Sequence, residues 1–196
     1  MLSSGVSALP EGFPRIEGLR AALIPSAQAS QKARERSLPA AKAALLALGA
    51  AECVSLPLES ARPKDFASFG LLYFLGGNAF LLTKIIRERG LGPAIAAFER
   101  ERQVIASSGG ALALGQTMAH IERIDPSMNR RYGLMDLSGL GLAPVSICPH
   151  RGRFIEKYEG FLEAMANFER ESGQTIALLE DGQGVFSDSG SWRVFG

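Results

Sequence analysis

The chain has 196 residues, 46% of them hydrophobic, with 21 basic against 20 acidic side chains. That length buries a sizeable core in one α/β domain over residues 1–196, and the balanced charge lacks the electropositive excess that a nucleic-acid backbone or an anionic membrane surface selects. Cys53 and Cys148 stand far apart in apolar runs, with neither a disulfide framework nor zinc-ligand spacing. The opening MLSSGVSALPEGF lacks the order of a secretion signal, and no window reaches the roughly 18 apolar residues of a membrane span. The expectation is a soluble cytoplasmic protein, monomer or homodimer, with no metal or organic cofactor and neither nucleic acid nor membrane as partner.

In chain order, short apolar runs alternate with amphipathic stretches: Ala21 to Pro25 then Gln28 to Ala50, Glu52 to Leu58, Leu71 to Leu75 then Ala79 to Arg89, and Val104 to Ala106 then Ala111 to Ile121. Strand followed by helix, repeated, predicts a mostly parallel sheet with crossover helices. LLYFL and QVIA are apolar on successive residues, as strands covered on both faces are. Pro39 predicts a kink or break in the Gln28 to Ala50 stretch. Asn78 can cap the helix that Gly90 stops, and Pro93 begins another over Ala94 to Arg102. Beyond Pro149, Phe154 to Glu171 reads as one amphipathic helix. The remaining QTIALLEDGQGVFSDSGSWRVFG reads as short strands joined by Asp181-Gly182 and Ser189-Gly190 turns.

Ligands of open α/β sheets bind beyond the carboxyl ends of the strands. LLYFL runs into Gly76-Gly77-Asn78, QVIA into Ser107-Ser108-Gly109-Gly110, and APVSIC into Pro149-His150. A strand-to-helix nucleophile elbow tolerates only small residues two positions before and after the nucleophile. Ser108 meets this with Ala106 and Gly110, although such elbows usually carry glycine at the earlier position. Ser107 would place Ile105 there.

A serine nucleophile needs a base. Were the segment between them helical, His120 would lie roughly 18 Å from Ser108, so His150, which directly follows a strand, is the expected base. For the acid that orients it, Asp125 is preferred because Pro126 leaves it on a loop, with Glu122 and Asp136 as alternatives. The backbone N–H groups of Gly77 and Gly109 would form an oxyanion hole. Gly76 and Gly77 could instead cradle a phosphate, but neither GxGxxG nor a Walker lysine is present. Arg151 and Arg153 stand near His150 and could bind a carboxylate.

LLYFLGGNAFLLTKIIRERGL, VIASSGGALALG and GLGLAPVSICPH, in this order, resemble peptidase family S51, the family of peptidase E and of the similarly folded cyanophycinases. The resemblance implies a three-layer αβα fold like the class I glutamine amidotransferases (flavodoxin-like), with serine in place of their cysteine. It implies a serine dipeptidase acting on small peptides, with an expected preference for N-terminal aspartate. By matching motifs it carries the nucleophile onto Ser108, the base onto His150, the oxyanion donors onto Gly77 and Gly109, the acid by spacing onto Asp125, and a substrate contact onto Asn78. A serine esterase and a non-catalytic binding relative are the competing readings.

Overall fold

A computed structural model describes residue 1, residues 11–188 and residues 190–196. Strand β1 (Arg20–Ile24) leads into helix α1 (Gln31–Ala47), then β2 (Glu52–Ser55), a 3-10 turn (Pro63–Ser68) and β3 (Leu71–Phe74). Helices α2 (Ala79–Glu88) and α3 (Gly92–Glu101) cross over to β4 (Gln103–Ala106). Short helices α4 (Gly109–Leu114), α5 (Ala119–Ile124) and α6 (Ser127–Arg130) precede β5 (Ser146–Cys148). Helices α7 (Arg151–Lys157) and α8 (Phe161–Ser172) then lead to β6 (Ile176–Leu178) and the strands β7 (Gly184–Asp188) and β8 (Ser191–Phe195).

The predicted parallel sheet is present in the order β2-β1-β3-β4, with β5 and β6 forming a second parallel pair and β7 and β8 an antiparallel hairpin. Burial on both faces explains the unbroken apolar runs. Ala21, Leu23, Leu71, Tyr73, Leu75 and Ile105 face the smaller core beneath α1, whereas Ala22, Ile24, Leu72, Phe74 and Ala106 face the larger one beneath the other helices. Leu45 is the one buried residue of α1, whose other sheet-side positions are mostly small.

Two helix readings need correction, as does the break allowed for at Pro39. Pro39 does not break α1, which runs through it. Both Pro39 and Glu35, whose carbonyl loses its partner N–H, are exposed, so water can satisfy that oxygen. The stretch Ala111 to Ile121 is two helices, because Gly115 ends α4 in an extended conformation. The stretch Phe154 to Glu171 is split at Gly160, which adopts φ 70°. The Asp181-Gly182 turn forms, with the Gln183 N–H donating to the Glu180 carbonyl at 3.1 Å. Ser189 of the second expected turn and LSSG of the opening segment lie outside the described residues. Among the described residues, no helix is long and apolar enough to cross a membrane.

Candidate active site

Strand register decides which loops meet. Phe74 pairs with both Ile24 and Ala106, so the residues after β1, β3 and β4 leave the sheet at one edge. The Asn78 N–H then donates to the Ala27 carbonyl at 2.7 Å and the Ser107 N–H to the Phe74 carbonyl at 3.0 Å. In the second pair Cys148 lies opposite Leu178, and the Leu179 N–H donates to the Cys148 carbonyl at 2.9 Å. Pro149-His150 and Glu180-Asp181 therefore emerge side by side.

At this edge Ser108 Oγ lies 2.9 Å from His150 Nε2. The other ring nitrogen, Nδ1, contacts the Asp181 carboxylate. A carboxylate can only accept, so Nδ1 carries the hydrogen and Nε2 presents its lone pair to the Ser108 hydroxyl. Arg153 donates to the second Asp181 oxygen at 2.9 Å. Partial desolvation raises the Asp181 carboxyl, but the hydrogen bonds and charges of His150 and Arg153 outweigh it and hold the group below its ordinary value. Glu180 anchors the same loop by accepting from Arg151 at 2.6 Å and from the Gly152 N–H at 3.1 Å. The two arginines expected to offer themselves to a substrate carboxylate are thus paired with Glu180 and Asp181.

Ser108 (φ 50°) and His150 (φ 58°) are the two non-glycine residues with positive φ among the described residues. Such a backbone costs about 1–3 kcal/mol per residue and persists where its surroundings enforce it. Here Gly76 packs so closely that a Cβ on it would meet Ser108 Cβ at 2.9 Å. A Cβ on Gly109 would collide with the Gly77 carbonyl, and one on Gly110 would meet the Phe74 and Leu75 carbonyls at 2.8 Å. Gly109→Ala should accordingly lower stability by about 1–3 kcal/mol, measured by urea unfolding. An unchanged midpoint would mean that the two loops are free to separate.

The Gly109 N–H is buried at the start of α4 and, like that of Gly77, has no hydrogen-bond partner among the described residues. A buried unpartnered N–H such as that of Gly109 is rare in folded chains, whereas Gly77 is exposed and its N–H is open to solvent. These two donors beside a serine whose proton can pass to an imidazole suit the oxygen of a carbonyl under attack. Asn78 lines the adjoining cavity, but its amide is engaged at both ends, accepting from the Leu81 N–H at 3.0 Å and donating to the Met128 carbonyl at 2.9 Å. It fastens the glycine loop to α2 and α6, where a direct substrate contact was expected.

The acid is the main departure from the expectation. His150 Nδ1 is met by Asp181, and Asp125 instead accepts from Ser127, Tyr158 and Lys157. The Ser127 and Tyr158 hydrogen bonds are the chief cause of its carboxyl being pushed down to about 2. Tyr158 stands directly after α7, where the helix ends in an extended residue. Asp136 pairs with Arg87 at 3.0 Å, and neither it nor Glu122 is in contact with His150. His120 is fully buried and donates through Nε2 to the Ile147 carbonyl at 3.1 Å, and burial pushes its pKa down to about 4. Applied to TIALLED, the strand-end rule that singled out Ser108 and His150 would also have singled out Asp181.

Two solved structures share this fold. A protein described as a candidate peptidase E from Listeria monocytogenes EGD-e superposes with a TM-score of 0.71 at 20% identity, over 92% of this chain and 87% of its own. A peptidase from an acI-B1 Actinobacterium superposes with a TM-score of 0.68 at 20% identity, over 90% of this chain and 74% of its own. No curated protein sequence matches the chain. The sequence profile of peptidase family S51 matches residues 8–195, nearly the whole chain, and the chain belongs to that family.

Proposed function

We propose that this family member is a serine-type dipeptidase that hydrolyses dipeptides or short peptides, with a preference for aspartate at the N-terminus. The observation that carries the reading is the 2.9 Å approach of Ser108 Oγ to His150 Nε2 from two strained backbone positions. His150 takes the hydroxyl proton as Ser108 Oγ bonds to the peptide carbonyl carbon. The carbonyl oxygen gains charge facing the Gly77 and Gly109 N–H groups. Asp181 holds the imidazole in the required tautomer and stabilises the imidazolium. The C–N bond then breaks, His150 Nε2 returns its proton to the departing amine, and the product amine leaves. Water, deprotonated by the same nitrogen, attacks the ester, and Ser108 Oγ departs with the proton handed back by His150 Nε2 as the acid product is released. Aspartate at the acyl position is the preference that family S51 brings with it.

The test is covalent. A fluorophosphonate should label the native protein once, with the adduct mapped to Ser108 by peptide mass spectrometry. Native protein that resists the reagent, or an adduct on another residue, would remove Ser108 as the nucleophile.

A further inference from the structure

Two neighbouring cavities lie between α1 and the glycine loop, and one of them reaches the nucleophile. One, of about 450 Å³, is lined by Ser108 and His150, by Gly76 and Gly77, and by Ser37 and the alanines of α1. The other, of about 400 Å³, continues from it past Gly77 and is lined by Gln28, Ser37, Asn78 and Arg36. They share Gln28, Ser37, Gly76 and Gly77, and so form one trough. The trough exists because α1 presents Ala33, Ser37, Ala40, Ala41 and Ala44, spaced at helical intervals, where larger side chains would fill the space.

Its chemistry is one-sided. Among the described residues, no carboxylate lines either cavity, and Arg36 is the one permanently charged lining group. The neighbouring Arg34 is paired with Glu59, and Glu35 accepts from Gln31 at 3.1 Å, whereas no ion pair or hydrogen bond engages the Arg36 side chain among the described residues. Ser37 donates to Gln28 Oε1 at 2.8 Å, which leaves the Gln28 Nε2 group as a second donor. Direction follows from the acid-base geometry. The leaving amine must lie where His150 Nε2 can protonate it, so the acyl residue occupies the side of the glycine loop. Arg36 lies on that side, in the cavity that touches Gly76 and Gly77 and neither Ser108 nor His150.

We infer that Arg36, assisted by Gln28, is the specificity-determining residue of this site and reads a carboxylate on the side chain of the acyl residue. The inference rests on Ser108 being the nucleophile. A guanidinium fits a carboxylate through paired N–H donors, which an ammonium cannot reproduce.

The test measures protection of Ser108 from fluorophosphonate labelling by Asp-Ala and by Asn-Ala, which differ by one charge and need not be turned over. In native protein Asp-Ala should protect at concentrations about tenfold or more below those of Asn-Ala. In Arg36→Gln the ratio should fall to about one with Asn-Ala unchanged, and Arg36→Lys should fall between. Equal protection by the two dipeptides in native protein, protection by neither, or a ratio that survives Arg36→Gln would overturn the assignment of Arg36 and leave the nucleophile standing. Absence of Ser108 labelling would overturn the reading beneath it.

Discussion

Ser108→Ala should abolish turnover of Asp-X dipeptides, lowering kcat by about a millionfold while binding of the same dipeptides stays near native. The size of the loss follows from the division of labour at the site. The Gly77 and Gly109 N–H groups and the trough remain in the variant, so ground-state binding persists. No atom is left to form the acyl bond. The alanine keeps a Cβ against Gly76 and tests chemistry more than packing, although Ser108 already holds φ 50°, so a thermal melt must accompany the kinetics. A variant that melts with the native protein and turns over at the background rate supports the reading. Turnover that survives the substitution would exclude Ser108 as the nucleophile.

The second large effect separates the two candidate acids. Asp181→Asn should lower kcat by about ten-thousandfold. An asparagine can turn its NH2 group toward Nδ1, which then accepts, and the hydrogen moves to Nε2. An Nε2–H cannot take the Ser108 proton. Asp125→Asn should lower kcat by less than about tenfold, because its partners Ser127, Tyr158 and Lys157 do not touch the reacting atoms. Its effect belongs to acid stability. The Asp125 carboxyl titrates at about 2 in the folded chain against 3.8 ordinarily. The stability it contributes is therefore complete above the unfolded value and is lost as pH falls through the folded one. Acid unfolding of Asp125→Asn should lack this contribution, whereas its kcat near neutral pH should remain close to native. The opposite pattern, with kcat lost in Asp125→Asn and kept in Asp181→Asn, would restore Asp125 as the acid.

Much of the site is legible in the sequence because its determinants are local. LLYFLGGN and VIASSGG each run from a strand covered on both faces into a turn where only small residues fit, and these are steric facts of a few consecutive residues. Pro149-His150 after an apolar run follows the same logic. A local reading favours Asp125 because it lies between the serine and the histidine in the chain and before a proline. Proximity along the chain is no guide here, since His150 and Asp181 are brought together by the pairing of β5 with β6 across two intervening helices.

The continuity of α1 has the same origin. Pro39 forbids a hydrogen bond wherever it stands, and whether that breaks a helix depends on whether water reaches the freed carbonyl, which is settled by the side of α1 that faces out. The sequence by itself determined the strand-helix alternation, the parallel sheet and the positions of Ser108 and His150, through burial patterns and turn sterics that act over a few residues. Only the tertiary structure decided that Asp181 meets His150, that Asp125 serves Tyr158, and that the small-residue face of α1 leaves a trough with Arg36 beside it. Those outcomes depend on strand register and on packing between segments tens of residues apart, and no local pattern encodes either.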